Sequence, residues 1–252
     1  MNFLSLALTT QPEPDWSRVQ ALPIHECDEP LVPLGLVPPP IRVYPTYFHL
    51  GIGGALSECY VRRSVLARLQ KAARLLPAGI ELVVLDGWRP LAVQQYLFNT
   101  LTQALRRHFP GEDEAGLLAR ARHFVAPASA EAASPSPHLT GGAVDVTLCD
   151  TEGGMLDMGT EFDDIGPWSA TAAFEAVARP GPKEAEIIEN RRLLYSVMIR
   201  AGFSNLPSEW WHFDYGNQNW AWFTQQPHAL YGPARLPGLA GRWERQVALL
   251  GG

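Results

Sequence analysis

The residues best suited to chemistry in this 252-residue chain fall in two stretches, Ser136-Pro137-His138-Leu139-Thr140-Gly141-Gly142-Ala143-Val144-Asp145 and Glu209-Trp210-Trp211-His212. They supply two imidazoles, a carboxylate close after the first, and a second carboxylate shortly before the last. A catalytic zinc takes three protein ligands from His, Asp/Glu and Cys and keeps a fourth position open. His138, Asp145 and His212 fill that set. Glu209 is left over as the general base that a zinc hydrolase needs for its attacking water. The patterns H-E-x-x-H, H-x-x-E-H and C-x-x-C are all missing, so the assignment rests on local geometry and wider context.

The elements around these residues must bring them together. His138 and Asp145 are an odd number of positions apart, and a flat strand through both would point them to opposite faces. Gly141-Gly142 removes the objection, since glycine permits the positive φ of a tight turn or bulge. The expected arrangement is His138 on a loop after Pro135 and Pro137, then a turn, then a strand Ala143 to Leu148 that aims Asp145 inward. For the second stretch, Pro207 cannot donate to a sheet ladder. Glu209 is therefore expected at the bent entry of a strand on which Trp210 and His212 share a face. A helix would also place i and i+3 on one side, but Trp210-Trp211-His212-Phe213 is richer in strand formers.

With these motifs the chain resembles the D-Ala-D-Ala dipeptidases, zinc peptidases of the VanX type, within the wider family of D-Ala-D-Ala carboxypeptidases and peptidoglycan peptidases. The pattern S-x-H-x-x-G-x-A-x-D is met by Ser136, His138, Gly141, Ala143 and Asp145, and E-x-W-H by Glu209, Trp211 and His212. A third signature, D-G-Y-R-P, appears as Asp86-Gly87-Trp88-Arg89-Pro90, with Trp in place of Tyr. Further likeness lies in Met158 to Asp163 and in Asn190 to Phe203, so the resemblance runs from about Tyr44 to about Tyr215. It implies His138, Asp145 and His212 as ligands of one zinc per chain, Glu209 as catalytic base, and Arg89 as the group that steadies the oxyanion. It also implies Ser136 and Asp163 as holders of the substrate's ends. The implied substrate is a small D,D-dipeptide, D-alanyl-D-alanine. A D,D-carboxypeptidase or endopeptidase acting on peptidoglycan stem peptides is the alternative. A catalytically silent zinc-binding recognition module is a third reading, against which the retention of Glu209 and Arg89 speaks.

Other histidines, His25, His49, His108, His123 and His228, stand outside any such motif and read as surface or hydrogen-bonded core residues. Arg89 has an ion-pair partner at hand in Asp86, and the tryptophans are first of all core and pocket wall.

A net charge of −6 and a pI near 5.6 argue against a nucleic-acid groove, and no apolar run approaches the length of a membrane span. Met1 to Leu8 lacks a charged leader region and a small-residue cleavage site. Cys27, Cys59 and Cys149 form no spaced motif. Together these favour the cytoplasm, with the periplasm open if a leader is atypical. Oligomeric state is not legible.

The length allows one large domain. The expected division is a proline-rich arm at 1–40, a catalytic domain at 41–220, and a Pro/Gly-rich tail at 221–252 packed on it. Helical patterning runs from Tyr60 to Leu76, Leu91 to Arg107, Glu112 to His123 and Lys183 to Ala201. A strand is expected at Ile80 to Leu85, and 149–183 reads as an irregular rim. The class is α+β, a single domain with helices packed on a small, mainly antiparallel sheet that carries the zinc site.

Overall fold

The computed structural model describes residues 6–236 and 238–250; the first residues of the segment read above for an export leader, 1–5, lie outside it. The sheet that organises the molecule has five strands, β2 (Ile41–Val43), β4 (Ile80–Asp86), β5 (Ala143–Asp150), β7 (His212–Asp214) and β6 (Ser204–Asn205), in the order β2-β4-β5-β7-β6. The pair β2·β4 is parallel and the other pairs are antiparallel, so the sheet is mainly antiparallel, as expected. A separate two-stranded ribbon joins β1 (Leu31–Pro33) to β3 (Tyr60–Arg62).

Strand alternation divides this sheet into two chemically different faces. Leu82 and Val84 of β4, Val144, Val146 and Leu148 of β5 and Phe213 of β7 point to one side, where they join a single large core. Two helices cover that side, α3 (Arg63–Arg74) and α6 (Pro182–Ala201), through Val65, Leu69, Leu194, Val197 and Met198. The alternate residues Asp145, His212 and Asp214 face the other way. On that side Phe162, from the irregular segment after β5, packs on Val83, Leu85 and Cys149, and the hairpin of α4 (Leu91–His108) and α5 (Glu114–Phe124) lines a cavity together with Asp145 and His212. Short helices α1 (Trp16–Gln20), α2 (Thr46–His49) and α7 (Gln218–Phe223) fill the margins, and α8 (Leu239–Leu250) follows late in the chain. No helix among the described residues is long and apolar enough to cross a membrane.

One sequence expectation is corrected here. The helix read from Tyr60 begins only at Arg63, because Tyr60–Arg62 pairs with Leu31–Pro33 as a strand. The Pro/Gly-rich tail contains a regular helix, α8, whose Leu239, Trp243, Val247 and Leu250 recur at helical spacing and are exposed.

Arg62 is the hub that ties the arm and the late chain to the sheet. Its buried guanidinium donates to the carbonyls of Thr140 (2.8 Å), Glu29 (2.6 Å) and Gly232 (3.1 Å), pairs with Glu26 at 2.9 Å, and lies over the Tyr231 ring.

Candidate metal centre

Asp145 and His212 are direct partners across the β5·β7 ladder, which explains how residues so far apart in sequence converge. His138 comes from a single turn of 3-10 helix, Pro137–Thr140, that precedes β5. This turn ends at Gly141 with φ +71°, a left-handed conformation that glycine adopts without strain. A Cβ on the next residue, Gly142, would stand 2.5 Å from the Tyr215 carbonyl oxygen. The glycine pair thus reverses the chain and lets it pass close to the neighbouring backbone, so His138 and Asp145 share a face despite their odd spacing.

One donor atom from each of His138, Asp145 and His212 falls within 4.8 Å of the others, and all three residues are buried. His138 Nε2 lies 3.2 Å from His212 Nδ1. Asp145 Oδ1 lies 3.1 Å from His212 Nδ1 and Asp145 Oδ2 3.5 Å from His138 Nε2. Ligands of a tetrahedral zinc with bonds of roughly 2.0–2.1 Å stand about 3.3 Å apart, and each imidazole nitrogen has an Asp145 oxygen and the other imidazole near that distance. The outer ring nitrogens fix the tautomers. His138 Nδ1–H donates to the Gly87 carbonyl at 2.8 Å, and His212 Nε2–H donates to Asp214 Oδ2 at 3.1 Å. Each imidazole therefore turns a lone pair inward, as metal-binding histidines do when their second nitrogen is held.

The electrostatics agree. Burial alone would raise the Asp145 carboxyl, yet the two imidazoles hold it far below the usual carboxylate range. Burial likewise opposes charge on His212, but Asp214 and Asp145 outweigh it and raise that imidazole well above its ordinary value. This cluster favours a positive charge at its centre, and the donor set suits zinc.

Glu209 stands beside the cluster and outside the donor set, with Oε2 3.8 Å from His212 Nδ1. It does not enter a strand at Trp210, as expected from the sequence. The Glu209 amide donates to Leu206 O at 3.0 Å in a turn, and β7 begins only at His212. Burial pushes its carboxyl up to about 8, aided by Asp145 and Asp163 and opposed by His212 and Arg89.

Arg89 is buried and donates to Asp86 (2.7 Å), Gln94 (2.8 Å) and Asp145 (3.1 Å), with its guanidinium over the Tyr47 ring. Three of its five N–H donors are so committed, leaving two. The anticipated pair with Asp86 exists, and the same guanidinium also reaches Asp145 of the donor cluster.

Asp163, at φ +66°, lines the same cavity as Arg89, Glu209 and the three donors. Lost hydration raises its carboxyl, Asp145 and Asp86 adding and Arg89 opposing. Ser136 is placed differently. Its hydroxyl donates to Pro127 O (3.1 Å) and accepts from the Ser129 amide (2.8 Å), closing the loop between them. The Trp88 indole donates to Ala234 O at 3.1 Å and is not part of this cavity wall.

Sequence reading missed Asp214. It is fully buried, and Asn217 and Asn219 donate to it at 2.5 and 3.2 Å. Its signal was present as His212-x-Asp214, two residues on one face of a strand. Gln94, which links Arg89 to the Ala126 carbonyl at 2.7 Å, had no comparable signal.

The cavity holding these groups measures about 480 Å³ and is bounded by Trp16 and Gln20 of α1 on one side and Leu206 and Ser208 on another.

Comparison with known proteins agrees with this geometry. The peptidase family M15, described as D-Ala-D-Ala dipeptidase, matches residues 55–231, a span that contains all three motifs. A D-alanyl-D-alanine dipeptidase of Synechocystis sp. is 34% identical over 225 residues, covering 82% of this chain and 90% of the relative. One from Escherichia coli is 27% identical, covering 63% of this chain and 67% of the relative. One from Enterococcus faecium is 29% identical, with 63% and 69% covered. With its motifs inside the matched span and converging on one buried donor set, this chain belongs to the D-Ala-D-Ala dipeptidase family of zinc peptidases.

Proposed function

We propose that this protein hydrolyses D-alanyl-D-alanine to two D-alanines, with His138, Asp145 and His212 as the zinc ligands. The observation that carries the reading is the convergence of three inward donor atoms with a spare carboxylate, Glu209, and a fixed cation, Arg89, on one cavity wall. Zinc bound there supplies Lewis acidity, which lowers the pKa of water and polarises the peptide carbonyl.

The chain's own residues do the rest. Glu209 Oε2 takes the proton from the attacking water and then delivers it to the departing amine; no covalent enzyme intermediate is needed. Arg89 offers its two uncommitted N–H donors to the oxygen that becomes negative, and its bonds to Asp86, Gln94 and Asp145 fix it before the reaction begins. Asp163 is read as the partner of the substrate's ammonium end. Ser136 acts through the shape of the 127–136 loop. In this reading residues 41–220 form the catalytic domain, and the arm preceding it reaches the cavity through Trp16 and Gln20 of α1.

One observation favours a longer substrate as second reading. A neighbouring cavity of about 610 Å³ shares Trp16, Leu206 and Ser208 with the first, space into which a stem peptide could extend. Zinc-loaded protein should therefore be incubated with D-Ala-D-Ala and with a stem pentapeptide ending in D-Ala-D-Ala, against a Glu209→Ala control. Release of D-alanine from the dipeptide supports the proposal. Release mainly from the pentapeptide transfers it to a carboxypeptidase, and release from neither favours a silent binding module.

A further inference from the structure

The cavity wall contains a charge that the hydrolytic chemistry leaves unused. Asp145, Asp163 and Glu209 contribute carboxylates to it, and Arg89 and Arg122 contribute guanidinium groups. Arg89 is offset by Asp86 and Asp145. Arg122 is not offset: it is exposed near the end of α5, and no carboxylate among the described residues lies within ion-pair reach. Two arginines of the same hairpin are paired, Arg106 with Glu114 at 2.5 Å and Arg120 with Glu112 at 2.7 Å; Arg107 does not line the cavity.

A dipeptide is a zwitterion, and its two ends need opposite partners. Asp163 answers the ammonium end. Phe124 lines both the main cavity and a small recess that also holds Asp163, Ser208 and Glu209, so the end of α5 borders the space beside the proposed base. Arg122 lies two residues before Phe124 and lines the main cavity with it.

We infer that the Arg122 guanidinium receives the substrate's C-terminal carboxylate and thereby restricts the enzyme to peptides with a free C-terminus. The inference rests on the hydrolytic reading of the site. An arginine is suited to the task because its planar fork meets a carboxylate through two parallel hydrogen bonds. Being exposed, Arg122 can be replaced without loss of core packing.

The test compares zinc-loaded wild type, Arg122→Gln and Arg122→Lys on D-Ala-D-Ala and on its C-terminal amide. Wild type is expected to prefer the acid. Arg122→Gln should raise KM for the acid about 10- to 100-fold, the effect of one lost charged hydrogen-bonding partner. Its kcat and its kinetics on the amide should stay unchanged, so that the preference collapses. Arg122→Lys should restore part of it. If wild type cleaves the dipeptide and Arg122→Gln keeps the wild-type preference for acid over amide, the clamp alone is overturned. If wild type with zinc bound cleaves neither substrate, the reading of the site fails and the clamp falls with it.

Discussion

Asp214 Oδ2 accepts a hydrogen bond from His212 Nε2 at 3.1 Å, on the side of the ring turned away from His138 and Asp145. The carboxylate is itself held by Asn217 and Asn219, so ring orientation and tautomer are both set from behind. Replacing Asp214 with Ala should weaken zinc binding about 10- to 100-fold, the usual effect of losing such a partner. Competition with a chelator measures this, and an unaltered affinity would remove Asp214 from the design of the site.

His212→Ala removes a proposed ligand outright. Metal content after purification and dialysis should fall well below that of wild type, whereas Glu209→Ala should retain zinc. Equal occupancy in the His212 variant and wild type would contradict the ligand assignment.

Glu209→Ala separates chemistry from metal binding. With zinc retained, turnover should drop about 10²- to 10⁴-fold, the contribution of a positioned acid–base group. Near-normal turnover would exclude Glu209 as the base.

The same carboxyl predicts a pH effect on stability in chelator-treated protein. Its folded-state pKa is raised to about 8 from an ordinary 4.5, so the unfolded chain releases the proton first. Between about pH 5 and 8 this group progressively disfavours folding, and below 4.5 it contributes nothing. Glu209→Gln, which carries no charge, should show a Tm advantage over wild type that grows from pH 5 to pH 8. A constant Tm difference across that window would refute the assigned shift.

Arg62→Ala should destabilise the fold by at least about 2 kcal/mol, since several carbonyls lose a charged donor at once. Urea denaturation of the zinc-free protein would register it, and a midpoint matching wild type would show that the arm and late chain are anchored elsewhere.

The centre was readable in the sequence because its chemistry sits in short motifs whose spacing already carries a backbone instruction. Gly141-Gly142 implied the turn that makes His138 and Asp145 neighbours, and the strand after it formed as expected, extended to Asp150. What escaped depends on pairing between distant segments. Tyr60–Arg62 looked like the start of a helix until Leu31–Pro33 supplied its ladder partner. Glu209 looked like a strand entry because Trp210 and Trp211 are good strand formers, but local turn hydrogen bonds won there. Ser136 shows a different limit: its place in the motif is plain, but its hydroxyl serves the loop from Pro127. The α8 stripe was available as a helical repeat and was obscured by the glycines around it.

The two-faced alternation of β5 makes its pairing register a single setting for folding and for chemistry. A slip of one residue against β7 would carry Asp145 into the aliphatic layer formed with α3 and α6 and would turn Val144 or Val146 toward the imidazoles. Such a chain would lose its core and the proposed metal ligand Asp145 in the same event. Partly misassembled molecules should therefore be inactive and unstable together, with no well-folded but catalytically blank register between them.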